Sequence, residues 1–296
     1  MDRVYLCLFY VFKFIIFITP NALHNAIAKG LAFIYMRVNK RRFRVVMSNL
    51  NMAFGDEISM QKKLEIAKKC YFNFAKFLGI NFIKNQNTTK QKVLNRVRFK
   101  DEKFLLEAIN SGRSVIVATA HFGEWELFSL AMAARFGAVS ILGRRLDSKS
   151  INEILNANRT QFDIELIEKS GAAKGILRAL KQKRLVGILV DQNTAKSEGI
   201  EVSFFGKRVL HTPSVSIFAQ KTNALIVSAF ISSVDEQMSE ICFFKAVDIN
   251  DFDKANAIKL ATQAQADACE AMIRQKPDEY FWFHKRFKHF YERIYE

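Results

Sequence analysis

The sequence predicts an α/β fold, with a mostly parallel central sheet flanked by helices. Three observations carry this. From residue 101 onward, short apolar runs rich in β-branched residues alternate with helical stretches, the pattern of strands joined by crossover helices. Two of those runs, 114–120 and 186–190, read as buried strands. The ends of successive strands then deliver polar groups: His121, Arg144 with Arg145, and Asp191-Gln192-Asn193. In an open parallel sheet such ends share one edge, where chemistry is placed.

The elements follow in order. Residues 4–19 form an apolar run broken only by Lys13. As a helix it reaches roughly 24 Å, short of the roughly 30 Å hydrocarbon core of a bilayer. A signal peptide fits poorly, because Asp2 dilutes the basic end and Thr19-Pro20-Asn21 is no small-residue cleavage site. We expect a membrane anchor that spans a thinned bilayer or lies in its interface; a core helix is the plainer alternative. After Pro20, residues 21–36 set Leu23, Ile27, Leu31 and Ile34 at helical spacing. Arg37 to Arg44 then holds five positive charges in eight residues, a cytoplasmic juxtamembrane patch for anionic headgroups. Residues 1–44 are therefore expected to form the anchor and 45–296 one domain.

Residues 60–84 read as a lysine-studded amphipathic helix and 85–92 as a polar connector. Helices are expected over 101–110, 124–135, 148–161, 172–182, 213–221 and 254–274. Strands are expected over 114–120, 138–142, 164–167, 186–190, 224–232 and 240–247. The stretch between 193 and 213 is expected to be a loop.

Composition narrows the function. Half of the 296 residues are hydrophobic, 28 are Phe and only 3 are Pro, which suits a protein that handles apolar material or lies on a membrane. The net charge of +16 favours anionic partners: phospholipid, phosphorylated substrate, an acidic carrier protein or nucleic acid. Cys7, Cys70, Cys242 and Cys269 are far apart, with no Cys-x-x-Cys, and are expected to be free thiols. No histidine pair has zinc-type spacing, since His284 and His289 lie five apart. Nucleic acid lacks a recognised motif, a serine hydrolase lacks its Gly-x-Ser-x-Gly, and neither a phosphate loop nor a dinucleotide fingerprint is present.

The candidate site is His121-x4-Glu126, where a strand runs into a helix. In acyl transfer an imidazole takes a proton from an acceptor hydroxyl while a carboxylate fixes its tautomer. Gly123 lets the backbone turn, and N–H groups at the helix start could hold an oxyanion. Arg159, at the end of the following helix, could neutralise Asp191, neutralise Glu126, or hold a thioester or phosphate oxygen. Arg144, Arg145, Gln192 and Asn193 are candidate substrate contacts. Alternatively Glu126 is the direct base.

The chain resembles the bacterial lipid A biosynthesis late acyltransferases, the lauroyl/myristoyl type. The features that carry this are the N-terminal apolar helix with its basic sequel, Ala120-His-Phe-Gly-Glu-Trp-Glu126, Asp191-Gln-Asn193, Val202-Ser-Phe-Phe-Gly206 with Thr212-Pro213, and Tyr280-Phe-Trp-Phe-His-Lys-Arg-Phe-Lys288. The resemblance implies a glycerolipid-acyltransferase-like fold on the cytoplasmic face of the inner membrane. It implies transfer of an acyl chain from acyl carrier protein to a hydroxyl of a Kdo-bearing lipid A precursor, without metal or cofactor. By position it makes His121 and Glu126 the catalytic pair and adds Arg159 and Asp191. Asp191-Gln-Asn193 departs from the acid-centred triplet of some members. In the C-terminal segment, Trp282 and Phe283 are expected in the core, with His284, Arg286 and Lys288 facing headgroups. The rivals are a sister acyltransferase acting on another glycolipid or aminolipid, and a non-catalytic lipid-binding protein of the same fold.

Overall fold

Neighbouring residues of one strand feed different cores, which is what builds the layers. In the computed structural model, which describes residues 2–168 and 170–296, the central strand β2 (Val115–Thr119) is buried along its whole length. Val115 and Val117 join one apolar cluster, while Ile116 and Ala118 join the cluster on the opposite face. This is the period-2 alternation of a strand covered on both sides.

The helices are α1 (Asp2–Ile18), α2 (Asn21–Val38), α3 (Lys40–Phe54), α4 (Met60–Ala75), α5 (Phe82–Lys84), α6 (Lys90–Leu94), α7 (Lys103–Asn110), α8 (Trp125–Phe136), α9 (Lys149–Arg159), α10 (Ala172–Lys181), α11 (Ser214–Thr222) and α12 (Ala257–Gln275). The other strands are β1 (Val97–Lys100), β3 (Val139–Gly143), β4 (Ile164–Glu168), β5 (Leu185–Leu189), β6 (Ile200–Phe204), β7 (Lys207–His211), β8 (Leu225–Ser233) and β9 (Ser239–Phe243). The main sheet runs β1-β9-β8-β2-β5-β3-β4, and all its pairs are parallel except β8–β9. One face is covered by α6, α7 and α8, the other by α10, α11 and α12.

The alternation expected from residue 101 is present, with ends shifted by a few residues. Three stretches differ from expectation, the first being α6, which begins inside the 85–92 stretch expected as a connector. The stretch taken as a loop folds as the antiparallel hairpin β6–β7, and Val202, Phe204 and Val209 of that hairpin are buried against Phe54, Trp282 and Phe287. Residues 97–100 add an edge strand beside β9.

The N-terminal third is helical and packed. α1 and α2 fold back at Pro20, where the buried His24 ring bonds the Ile16 carbonyl and Thr19. Ile16 and Ala28 pack on Ile80 and Ile83, and Ile80 belongs to a π-helical stretch, Lys76–Asn81, that continues α4. Asp2 is tied to the first turn of α9 through Ser148 and Ser150. The basic run at 37–44 becomes the junction into α3, so the boundary expected after residue 44 falls inside a helix. Val46 and Leu50 of α3 are fully buried in the cluster of the C-terminal segment. Among the described residues, no helix is long and apolar enough to cross a membrane.

Candidate active site

Strands β2 and β5 pair in register, with Thr119 opposite Leu189. Each chain then runs two residues further, to His121 and to Asp191, so the two side chains meet across the carboxyl edge of the sheet. Asp191 Oδ1 lies 2.9 Å from His121 Nδ1 and also accepts from the His121 backbone N–H at 3.1 Å. Asp191 is buried and the His121 side chain is 20% exposed. Burial opposes the charge on Asp191, yet the facing imidazole holds its carboxyl below the usual range. Burial likewise opposes protonation of His121, but the Asp191 charge and hydrogen bond outweigh it and raise the imidazole pKa. The contact places the proton on Nδ1 and leaves Nε2 as an acceptor toward the Gln192 amide, 3.5 Å away.

The tautomer is thus fixed by Asp191, not by Glu126 as the sequence spacing suggested. Glu126 sits in the first turn of α8, which swings it toward α9. There Arg159 grips it with two donors, Nε at 2.9 Å to Oε2 and Nη2 to Oε1. Of the three roles open to Arg159, the structure places it against Glu126. Glu126 is buried and Arg159 nearly so, making a fork-to-fork pair.

Gly123 turns the backbone as expected, but its own N–H is not free to hold an oxyanion. Its φ is +57°, a Cβ there would overlap the Ile231 carbonyl, and its N–H donates to the Glu279 carbonyl at 2.9 Å. It serves close packing, and its N–H is spent within the fold. Arg144 lines the groove beside His121, together with Gln192 and Asn193, whereas Arg145 is exposed and does not line it.

The C-terminal segment holds the His121 loop. Phe122 pairs with Tyr280, and the Phe281 N–H donates to the His121 carbonyl at 3.0 Å. The rings of Trp125 and Phe281 flank the imidazole at 5.3 and 5.8 Å. Trp282 and Phe283 are buried as expected, but so is Arg286, which does not face outward. Its guanidinium donates to the Leu210 carbonyl and to His211 Nδ1 at 2.8 Å, behind Asp191. Burial first, and then Arg286, push His211 down to about 3, so that ring is neutral. Burial pushes His284 down to about 4, and its Nε2 accepts the Asn193 N–H at 2.9 Å.

On the other side of the edge an apolar slot runs between α8 and the sheet. Its mouth holds Glu126, Arg159, Thr119, Leu142 and Leu189; its depth is reached at Met132, Val139 and Leu185. Gly187 stands in the middle of β5 where a side chain would otherwise fill the space, and a strand glycine often marks such an approach. The free space is about 50 Å³. On the imidazole side lies an open groove of about 440 Å³.

Behind the loop, Glu124 is buried with each oxygen held at 2.8 Å, by Asn81 and by Asn85. Burial pushes its carboxyl up, although Arg96 at 3.7 Å works against this. Arg286, His211, Glu124 and Gly187 were not singled out from the sequence as site residues. Gly187 alone left a readable signal, a lone glycine inside an apolar strand.

Fold and site place the chain among α/β proteins that set an imidazole–carboxylate pair at the carboxyl edge of a parallel sheet, beside an apolar slot. The chain belongs to the bacterial lipid A biosynthesis acyltransferase family, whose profile matches residues 2–289. It is similar to the phosphatidylinositol mannoside acyltransferase of Mycobacterium tuberculosis (strain CDC 1551 / Oshkosh), 22% identical over 124 residues, 40% of this chain and 39% of that protein. The Mycolicibacterium smegmatis protein of the same name is 21% identical over 130 residues, 43% of this chain and 42% of that protein. The chain thus matches about two fifths of the length of these curated relatives. Among solved structures it is similar to the 1-acyl-sn-glycerophosphate acyltransferase of Thermotoga maritima, with a TM-score of 0.39 and 11% identity over 86% of this chain and 97% of that one.

Proposed function

We propose that the protein transfers a fatty acyl chain of the lauroyl/myristoyl class from acyl carrier protein to a hydroxyl of a Kdo-bearing lipid A precursor, using His121 as the base. One observation carries the chemistry: Asp191 fixes the proton on Nδ1, so Nε2 faces a groove that adjoins an apolar slot. Nε2 takes the acceptor's hydroxyl proton as the oxygen attacks the thioester carbonyl. A C–O bond forms, the C–S bond breaks, and the imidazolium returns the proton to the departing thiolate. The oxyanion is met by the Gln192 amide and by Arg159 Nη1, which makes no hydrogen bond among the described residues.

The slot takes the acyl chain. Twelve carbons carry an apolar transfer energy of roughly 10 kcal/mol, so the chain stays out of water during transfer. Side chains must move to admit it, and Met132 is unbranched and adaptable. The expected position is the cytoplasmic face of the inner membrane. In support, α1 and α2 present Leu8, Phe14, Phe17, Phe33, Ile34 and Val38 to the surface, and α1 packs beside α9, which carries Arg159. A helix lying in the interface fits that face better than a spanning one.

The test is transfer in vitro from lauroyl- and myristoyl-loaded carrier protein to the precursor by purified wild type, His121→Ala and Asp191→Asn. Near-normal transfer by both variants would sink the mechanism. A second reading is motivated by the similarity to phosphatidylinositol mannoside acyltransferases: the acceptor is another membrane glycolipid. It predicts an unchanged acyl count on lipid A from a deletion strain.

A further inference from the structure

Between α3 and the C-terminal segment lies a basin of about 680 Å³ whose walls are strongly cationic. Arg41 and Arg42 of α3, Lys285 and Lys288 of the C-terminal segment, and His284 and Asn193 line it. No carboxylate lines it, and of the four cations only Lys288 has a carboxylate within 4.0 Å among the described residues, Glu292 at 3.8 Å. Gathering like charges in a concave surface raises the local potential and costs stability unless an anion enters. The charges are also held in place. Arg42 Nη1 donates to the Phe283 carbonyl at 2.6 Å, and Lys285 stands over the Tyr295 ring at 5.2 Å.

The basin is continuous with the catalytic groove. Asn193 lines both, and its N–H is held by His284 Nε2. With Nε2 accepting, the neutral His284 carries its proton on Nδ1. The Asn193 side-chain oxygen is buried without a partner among the described residues, an open acceptor for a hydroxyl. A ligand spanning the two therefore offers hydroxyls at the groove and negative charge in the basin.

Position selects the source of that charge. The exposed apolar face of α2 ends at Phe33, Ile34 and Val38, and the basin's arginines follow within four residues. If that face lies in acyl chains, Arg41 and Arg42 lie at headgroup depth. We propose that this basin is a subsite for a phosphate group on the sugar headgroup of the lipid acceptor, seating it so that the neighbouring hydroxyl reaches His121. The proposal rests on the function above and adds where the acceptor is gripped.

The test uses Arg41→Gln with Lys285→Gln in the full-length protein; Arg42 is left alone because of its bond to Phe283. Arg41 is exposed and Lys285 half-buried, and an unchanged melting temperature checks folding. The acceptors are the phosphorylated lipid A precursor and its enzymatically dephosphorylated form. The variant should raise KM for the phosphorylated acceptor roughly 10- to 100-fold, leaving KM for the dephosphorylated form and for acyl carrier protein unchanged. Equal effects on both acceptors would overturn the proposal. So would a rise confined to the donor, which would assign the basin to the donor's phosphodiester or its acidic carrier.

A binding arm separates failure of the subsite from failure of the assigned function. Phosphatidylcholine vesicles doped with either acceptor are sedimented with wild type and variant. If wild type turns over neither acceptor but prefers phosphorylated vesicles, and the variant loses that preference, the subsite stands and the function fails. If wild type shows no preference, the subsite is rejected.

Discussion

Asp191 Oδ1 touches His121 twice, accepting its Nδ1 proton at 2.9 Å and its backbone N–H at 3.1 Å, so one carboxylate oxygen fixes both ring and loop. The consequence is a pH signature. The neutral imidazole is the base, so activity falls as pH drops through its folded pKa, which Asp191 raises above the usual value against the opposing effect of burial. Asp191→Asn should lower kcat about 10³-fold or more through loss of the tautomer. It should also move the acid limb of the rate profile to lower pH. An acid limb left in place, measured on kcat/KM, would break the link between the two residues.

The same pair gives a stability window. Asp191 has a depressed pKa, so its contribution is present above the ordinary carboxylate range and lost as pH falls through the folded value. His121 has a raised pKa, so its contribution is present below the ordinary imidazole value and lost as pH rises through the folded one. Denaturation midpoints of wild type should therefore exceed those of Asp191→Asn most between these limits. The difference should shrink at either end.

Glu126 and Arg159 should behave as one unit. Removing either partner leaves a buried charge without its counterion, which costs about 3–5 kcal/mol. Glu126→Gln and Arg159→Met should each destabilise strongly, and the double variant should be more stable than the sum of the two losses implies. A chemical-denaturation cycle measures this coupling. A parallel cycle between Glu126 and His121 should show weaker coupling, since no hydrogen bond joins them. The reverse ranking would restore the local pairing that the sequence suggests.

Much of this was legible in the sequence, and the gaps have physical causes. Strands 115–119, 139–143 and 164–168 could be read because each is an apolar-rich run followed by a helix, and 185–189 because it is an apolar run that ends in a cluster of polar residues. β9 was read as a strand, but its antiparallel direction was not, although only residues 234–238 separate it from β8, too few for a parallel crossover. β1 is four residues long with an alternating, partly exposed pattern, weaker than the buried runs. At the site, both His121 and Asp191 were visible as polar groups at strand ends. Their pairing was not, because β5 returns to lie beside β2 only after β3 and β4 have been laid down on its far side. Strand order is a property of the whole sheet, whereas His121-x4-Glu126 is a local spacing, and the local spacing misleads once α8 turns Glu126 toward α9.

Glu124 offers a test of how the catalytic loop is held. Its oxygens accept from Asn81 on the π-helical stretch and from Asn85, whose carbonyl in turn accepts from Gln161 two residues past Arg159. Glu124→Ala should cost about 3 kcal/mol by leaving buried amides unpaired, and should also lower kcat through displacement of the loop. Burial raises the Glu124 pKa, so this group favours the fold below the ordinary carboxylate value and loses that contribution as pH rises through the folded one. Stability of wild type relative to Glu124→Gln should accordingly fall over that range. A flat difference across it would show that Glu124 does not titrate there.

Gly187 sets the bore of the slot. A Cβ added to it meets Ile141 at 3.5 Å, an ordinary contact, so Gly187→Ala should fold at least as well as wild type. A longer side chain enters the space bounded by Val117, Ser129 and Met132. Gly187→Leu should therefore lower transfer from fourteen-carbon donors by about tenfold or more while sparing shorter ones, because each excluded methylene forfeits about 0.8 kcal/mol of burial. Met132→Ala lies deeper and should act in the opposite direction, extending the accepted chain. Both are read from kcat/KM across carrier protein loaded with ten- to sixteen-carbon chains. If neither variant changes the length preference while both remain folded, the acyl chain does not lie between α8 and the sheet.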